Sequence, residues 1–369
     1  MGLYFDVKDI VIVRSNSIIY DARVTKICKS LSKVYSVTVL GWNREGIPKE
    51  TIRDYGNYIL FRMKAPSGRP VLMFFLPLFW TWIFFRLIQE RPKVVHACDF
   101  DTVTSCYVYK VLFHKKLVFD VFDKYALAYI PPKYSRLYAL VDNLENSFSK
   151  KANILVTVSE KLLHTFRDKP MNYAIVMNCP EDRGMVEERH FDDILTLIYT
   201  GPIVKNRGLE RIIAAMEGLT KVELVVAGRV IDHGLLDQIL HLPNIKYQGL
   251  LPYTDALSLE ATSDVMVILY DLHEPINNYA MPNKLFEAMM FGVPMISNVA
   301  TELISNIGCG ITVDYDNLDQ IRSAVIKLRD DQELCRSLGM RGREAFQKKY
   351  NWPKMEHELY TIYQGLLGK

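Results

Sequence analysis

The feature that most constrains this chain is a recurring alternation. Short, β-branched apolar runs are separated by stretches whose apolar residues fall at helical spacing. Asp9-Ile-Val-Ile-Val13 opens the series, and Arg23 to Leu31 follows with Val24, Ile27, Cys28 and Leu31 at helical spacing. Tyr35 to Leu40, Tyr58 to Arg62, Val94 to His96, Lys116 to Val121 and Ile154 to Val158 read as further strands. Runs that are apolar throughout suit strands covered on both faces of a parallel sheet. Strands interleaved with helices make α/β layering the expected fold class.

The pattern restarts in the second half. Leu195 to Tyr199, Val222 to Ala227, Ile245 to Tyr247, Val265 to Leu269 and Met295 to Ser297 read as strands, with a turn at Gly201 and a helix from Leu209 to Met216. A chain of 369 residues is too long for one ordinary core. The first domain is expected to end near Ile175 to Pro180, with the polar stretch Glu181 to Phe191 as linker. The expected division is therefore 1–183 and 184–352. Asp316 to Leu338 and Gly339 to Leu367 read as closing helices broken around Tyr350-Asn-Trp-Pro353, and 353–369 is expected to pack back on the first domain. Two Rossmann-like, doubly wound domains facing across a cleft is the simplest architecture. Open parallel sheets bind ligands beyond the carboxyl ends of their strands.

Composition narrows the function classes. The six cysteines are scattered with no CxxC pair, so buried thiols in a reducing compartment are expected rather than a disulfide frame. No cluster of His, Cys and carboxylates has metal-ligand spacing, so no metal is expected. Met1 to Asp9 holds charges and no apolar run, which points to the cytoplasm, at the inner face of the cell membrane. Met1 to Arg183 holds 27 Lys and Arg against 17 Asp and Glu, a net +10, which leaves −7 for the remainder of a chain whose total is +3. A basic front half suits anionic lipid or a phosphate-bearing acceptor. Nothing resembles a nucleic-acid motif.

The most informative stretch is Tyr279-Ala-Met-Pro-Asn-Lys-Leu-Phe-Glu-Ala-Met-Met-Phe-Gly-Val-Pro294. Pro282 suits the first position of a helix that Gly292 and Pro294 end. The helix N-terminus suits a diphosphate, and Lys284 adds a full charge there. Glu287, three residues on, can accept two hydrogen bonds from the vicinal hydroxyls of a ribose. The plainer alternative is a capped helix with a surface Lys284–Glu287 ion pair.

In context the sequence resembles a family 4 retaining glycosyltransferase of the GT-B fold, in the branch reading P-N-K-L-F-E. The resemblance runs nearly the whole length. It rests on Tyr20-Asp-Ala-Arg-Val24, Val94-Val-His-Ala97 with Asp99, Val156-Thr-Val-Ser-Glu160, Tyr199-Thr-Gly-Pro-Ile-Val-Lys-Asn-Arg-Gly-Leu209, Val225-Val-Ala-Gly228, Tyr247-Gln-Gly-Leu250, the stretch above and Tyr350-Asn-Trp352. It implies a nucleotide-sugar donor (UDP-, GDP- or ADP-linked) as substrate, with no required cofactor. It also implies a site of Gly201, Arg207, Gly228, Tyr247, Gly249, Leu250, Tyr279, Ala280, Met281, Pro282, Asn283, Lys284 and Glu287. Arg229, at a strand end where the family often has a small residue, either reaches the phosphates or lies in solvent. Glu287 matches the second of two family glutamates spaced eight apart; Tyr279 stands at the first. Arg207 matches the second member of the family's basic pair, Pro202 stands at the first, and Lys205 or Lys284 compensates or Lys205 is a solvated turn.

For the chemistry, Arg207 and Lys284 are expected to stabilise the departing diphosphate. On the acceptor side Asp123 is the expected carboxylate, in the loop where many relatives have a histidine at the place of Phe122. Asp120 is expected to be structural. Ser15, Asn16, His96 and Asp99 complete the acceptor-side candidates, although a strand-end histidine such as His96 is more often satisfied locally than catalytic, and Asp21 reads as an N-cap. The apolar run Val71 to Phe85, flanked by Arg69 and Arg86 and carrying Pro77, Trp80 and Trp82, is too short to span a bilayer. It reads either as an internal helix or as a patch dipping into anionic membrane. Leu137, Leu140, Val141 and Leu144 form a second apolar stripe. The expected activity is sugar transfer to a glycan, glycolipid or lipid-linked acceptor. The competing readings are a GT-B-type sugar-nucleotide epimerase and a non-catalytic sugar-nucleotide-binding subunit.

Overall fold

The computed structural model describes residues 8–16, 18, 21–46, 57–65, 72–168, 170–185 and 193–368. Contacts divide the chain into two compact units, one made of residues 1–178 with 355–369 and the other of 179–354.

In the first unit the strands are β1 (Ile10–Val13), β2 (Val37–Trp42), β3 (Asn57–Phe61), β4 (Val94–Cys98), β5 (Lys116–Val121), β6 (Ile154–Thr157) and β7 (Tyr173–Ile175). They form one sheet in the order β3-β2-β1-β4-β5-β6-β7, every pairing parallel. β1, β2 and β4 are buried along their whole length, as their unbroken apolar runs require. The last helix, Trp352–Leu367, brings Tyr363 into this core at 0% exposure.

The second unit repeats the order. Its strands β8 (Leu195–Thr200), β9 (Val222–Ala227), β10 (Ile245–Tyr247), β11 (Val265–Ile268), β12 (Met295–Ser297) and β13 (Gly310–Thr312) pair in parallel as β10-β9-β8-β11-β12-β13. One apolar cluster fills the unit, with Leu197, Leu224, Val226, Val267 and Ile296 from the sheet and Leu209, Ile212, Val325 and Leu328 from helices. In both sheets the order reverses beside the first strand, between β1 and β4 and between β8 and β11. Ligand crevices open at such switch points.

The structure corrects several details. β7 and β13 are strands of three residues that the apolar pattern does not mark. The closing helices are Leu318–Asp330, Gln332–Lys348 and Trp352–Leu367, so the first break falls at Asp331 rather than at Leu338-Gly339. Asp331 caps the following helix by accepting from the Leu334 N–H at 2.8 Å. Gly339 lies mid-helix because a Cβ there would run into the Gly292 carbonyl. Pro282 is the N-cap, not the first helical residue, and a 3-10 turn Pro275–Tyr279 precedes it.

The apolar run forms the helix Leu72–Glu90 with Pro77 inside it. Leu76, Phe79, Ile83 and Leu87 are buried, and Phe79 stacks on Trp42 at 4.7 Å between ring centroids. Trp80 and Trp82, which would serve as anchors if the run were a membrane patch, turn inward. The Trp80 indole donates to the Asp101 carbonyl at 2.6 Å, and Trp82 packs on Phe61 at 5.4 Å. Phe74, Leu78 and Phe85 lie on the opposite stripe, exposed. Tyr20, Arg69 and Val71 fall outside the described residues. Among the described residues no helix is long and apolar enough to cross a membrane. In the second stripe Val141 is buried and Leu137 packs against it, while Leu140 and Leu144 are exposed. All six cysteines are buried thiols.

Candidate functional site

In the second unit the carboxyl ends of three neighbouring strands are tied together by backbone. Gly201 N–H donates to the Ala227 carbonyl at 2.9 Å, and Gly228 N–H donates to the Gly249 carbonyl at 2.9 Å. Gly228 has φ 154°, and a Cβ on it would collide with the Gly201 carbonyl, so no other residue fits this approach. The Tyr247 hydroxyl donates to the Gly228 carbonyl at 3.0 Å. Leu250 follows on the surface, 71% exposed.

Across the switch point, the helix Asn283–Phe291 begins beside β8. Its N-cap is Pro282, with φ −68° and ψ 145°, which makes no side-chain cap hydrogen bond. A helix start without a side-chain cap offers N–H groups and a positive dipole end to an anion. Lys284 leans towards Gly201, its Cε 3.6 Å from where a Cβ of that glycine would stand. Glu287 is 4% exposed and accepts from the Tyr253 hydroxyl at 2.8 Å. The alternative of a surface Lys284–Glu287 pair is therefore excluded: Glu287 turns into the protein, towards the helix Tyr253–Thr262.

Arg207 lies in the turn after β8, its guanidinium 4.5 Å from the Tyr270 ring centroid. Asn298 holds Tyr270 through the latter's N–H and carbonyl, each at 2.8 Å. Tyr279, Ala280 and Met281 are half-buried in the turn leading to Pro282, and Asn283 is exposed. Arg229 is exposed, and Lys205 is 75% exposed with Asp232 4.0 Å away. Thus Gly201, Gly228, Gly249, Tyr247, Lys284 and Glu287 gather around the carboxyl ends of β8 to β10, while Arg229 and Lys205 point to solvent.

Sequence reasoning passed over a second carboxyl in this place. Glu260, on the helix Tyr253–Thr262, is 2% exposed and accepts from the Thr200 hydroxyl. Burial, then the charge of Glu287, lifts the Glu260 carboxyl to about 8, with Lys284 and Thr200 pulling it back. The available signal was a glutamate inside Leu257-Ser-Leu-Glu-Ala261, among residues that the helix buries.

In the first unit the switch point lies between β1 and β4. Arg14 leaves the end of β1 and pairs with both Asp21, at 2.8 Å, and Asp99. Asp99 takes φ 64°, strained for a residue with a side chain, and its Oδ1 accepts from the Phe122 N–H at 2.8 Å. Burial lifts the Asp99 carboxyl to about 7 against the pull of Arg14. Asn16 donates to Asp21 at 2.9 Å, and Asp21 caps the helix Ala22–Leu31. Ser15 is buried near the Asp101 carboxyl. Phe122, the place of the relatives' histidine, lies between two guanidinium groups, Arg14 at 4.4 Å and Arg23 at 4.8 Å from its centroid. Asp123, next along, is exposed on the loop after β5.

His96 requires a correction. It was expected on the acceptor side, but it is fully buried. Its Nδ1 lies 2.6 Å from the Tyr363 hydroxyl and its Nε2 3.2 Å from Asp120. With both ring nitrogens engaged inside the core, it has nothing to offer an acceptor. Asp120 takes two bonds from Arg23, at 2.7 and 3.1 Å. Burial pushes the Asp120 carboxyl up, yet Arg23 and His96 outweigh it and hold it below the ordinary range. The ligand atoms of His96, Cys98 and Asp120 lie within 4.8 Å of one another. Their carboxylate is already balanced by a guanidinium, so this is a protein ion pair in the place where a metal would sit.

Residues 195–331 match the family model described as glycosyl transferases group 1. The chain is 22% identical over 330 residues to an uncharacterized glycosyltransferase of Methanocaldococcus jannaschii, a match covering 81% of each chain. The chain is a glycosyltransferase. The residues that match that model lie within the second unit of this glycosyltransferase, and the fold of the chain is GT-B. Sucrose-phosphate synthase from Thermosynechococcus elongatus superposes on it with a TM-score of 0.80 at 14% identity, covering 98% of this chain and 99% of that one. The Anabaena protein HepE, solved with UDP-glucose, superposes with a TM-score of 0.73 at 11% identity, covering 97% of this chain and 100% of that one.

Proposed function

We propose that this glycosyltransferase takes its sugar from a nucleoside-diphosphate donor held at the β8–β11 switch point. Transfer occurs with retention of configuration and without a required metal. The observation that carries this reading is the placing of Lys284 against Gly201, at a helix start whose N-cap is Pro282, with Glu287 one turn further along that helix. The N–H groups and Lys284 suit the diphosphate, and Glu287 suits the two ribose hydroxyls. As the nucleoside diphosphate departs, negative charge grows on it, and Lys284 and Arg207 stabilise that charge. The acceptor hydroxyl attacks on the face being vacated, and the leaving phosphate removes its proton. Asp123, exposed at the end of β5, orients the acceptor hydroxyl. Tyr279, in place of a carboxylate, gives the sugar a neutral contact. HepE binds UDP-glucose, which supports a nucleotide-sugar donor for this chain as well.

The acceptor belongs to the glycans, glycolipids or lipid-linked sugars, met at the cytoplasmic face of a membrane. The exposed apolar stripe Phe74, Leu78 and Phe85 and the basic front half support that reading. The test is incubation with radiolabelled sugar nucleotides and membrane extract. Label transferred to lipid or polymer supports the proposal; acceptor-free isomerisation, or binding without turnover, overturns it. Glu287→Ala should weaken nucleoside-diphosphate binding on the order of a hundredfold, since two charge-assisted hydrogen bonds are lost. Calorimetry showing wild-type affinity in that variant would remove Glu287 from the site.

A further inference from the structure

One buried group beside the donor helix has no part in the reading above. Glu260 reaches from the helix Tyr253–Thr262 to Thr200, the last residue of β8, one position before Gly201. Thr200 serves only its Oε1; its Oε2 is buried without a hydrogen-bond partner. Two turns earlier on the same helix face, Tyr253 donates to Glu287. Two carboxyl groups from packed helices therefore lie near each other and near Lys284. The groups facing Glu260 are Glu287 and Lys284 from the donor helix, Tyr253 from its own helix and the uncharged Thr200 from β8, with Arg183 acting on Tyr253.

A buried carboxylate next to a second carboxylate, with one oxygen that meets no donor, is the costly arrangement. A proton on one member removes both the repulsion and the buried orphan charge, as in carboxyl pairs that share one proton. We infer that Glu260 is a positioning residue of the donor site. It acts as a neutral carboxylic acid, keeping a single negative charge on the Glu260–Glu287 pair so that a nucleoside diphosphate can settle against Lys284. This rests on the donor-site reading. With the proton in place, the charges of Lys284 and Glu287 cancel. Without it, the diphosphate approaches a site with a net negative charge whose two carboxylates are both buried.

The sign of the pH effect follows. Glu260 loses its proton as pH rises through about 8 in the free protein. A bound diphosphate disfavours that loss further, so above pH 8 binding takes up a proton and affinity falls with pH. The ligand's terminal phosphate titrates around pH 6 and stays out of this window.

The experiment is isothermal titration calorimetry on the intact protein with UDP, GDP and ADP in turn, from pH 7 to pH 9. The Kd of whichever nucleotide binds best should rise about tenfold across that range. At pH 9, heats in buffers of different ionisation enthalpy should show proton uptake approaching one per nucleotide. Glu260→Gln fixes the neutral form. It should bind within about threefold of wild type at pH 7 and lose the pH dependence. Thr200→Val removes the hydroxyl that favours the ionised form, so it should move the midpoint to higher pH and bind better than wild type at pH 9. A structural role alone would shift neither profile. A wild-type affinity that stays flat to pH 9, or the same slope in Glu260→Gln, overturns the inference while leaving the donor site intact. If none of the three nucleotides binds at pH 7, the donor-site reading fails and the inference with it. Should Glu260→Gln lose its fold by circular dichroism, the wild-type and Thr200→Val profiles decide.

Discussion

Arg23 shows how much of the first unit depends on one side chain. It gives Asp120 two bonds, donates to the Val176 carbonyl at 2.5 Å and covers Phe122, all at 3% exposure. Truncating one partner of such a pair leaves the other charge buried, so Arg23→Ala should cost about 3–5 kcal/mol. In the wild type the Asp120 carboxyl is held down. It contributes stability above the unfolded carboxylate pKa and loses it as pH falls through the lower folded value. In the variant, burial dominates and lifts that carboxyl, so the deficit should be larger at pH 7 than at pH 5. Urea unfolding followed by tryptophan fluorescence reads this, because Trp42, Trp80 and Trp82 of the four tryptophans lie in the first unit. A deficit below about 1 kcal/mol, or one independent of pH, would assign the pair no role in stability.

The same scale shows what single residues disclose in sequence. A lysine followed three residues later by a glutamate at a helix start made Lys284 and Glu287 legible as a pair. Their separation into a helix-end cation and a buried carboxylate was not legible, because Glu287 is turned inward by Tyr253, 34 residues away. The partners of His96 were hidden for a related reason. The end of a strand suggests a ligand-facing side chain, but its direction is set by Tyr363, 267 positions on. Pairings over such distances leave no local mark.

Among whole elements, the apolar helix Leu72–Glu90 carries the clearest testable consequence. Its Phe79 and Ile83 stripe completes the core with Trp42 and Phe61, and the opposite stripe exposes Phe74 at 81%, Leu78 at 55% and Phe85 at 59%. The helix Phe100–Phe113 packs against it and exposes Val108, Val111, Leu112 and Phe113, with His114 and Lys116 exposed beside them. Apolar side chains next to cationic ones suit the boundary of an anionic bilayer. Replacing Phe74, Leu78 and Phe85 by serine should leave the melting temperature nearly unchanged, since none belongs to the core. It should reduce flotation with anionic liposomes at low salt by about tenfold per side chain. Undiminished flotation of the triple variant would remove this stripe from the proposed membrane contact. An apolar run on all sides could not reveal in sequence which side would be covered; the partner helix decides that. Strand positions were more legible, because long apolar runs mark β1, β2, β4, β8 and β9. The three-residue strands β7 and β13 lie only partly buried at the sheet margins, where no such run is needed.

At the scale of the molecule, the two sheets repeat one order, and the chain passes between the units at Asn178–Cys179 and again at Lys354–Met355. The second passage gives the first unit a helix from the far end of the sequence. Tyr363 and Leu359 are buried at 0% and 1%, Tyr360 donates to the Ser30 carbonyl at 2.9 Å, and Glu356 pairs with Lys33 at 2.7 Å. Met355 completes the contact, its sulfur 3.2 Å from the Met177 nitrogen. Each fully buried large side chain contributes about 1.5–3 kcal/mol, so losing this helix removes an amount comparable with a typical domain's entire stability of about 5–15 kcal/mol. His96 would also lose its hydroxyl partner and be left with an unpaired nitrogen in the core. A fragment of residues 1–178 should therefore show no cooperative thermal transition by circular dichroism. Residues 179–354, which hold their own apolar cluster, should melt cooperatively alone. Joining 355–369 to residue 178 through a flexible linker should restore a sharp transition to the first fragment. If 1–178 melts cooperatively without that helix, the first unit is complete in itself, and the returning segment only decorates it.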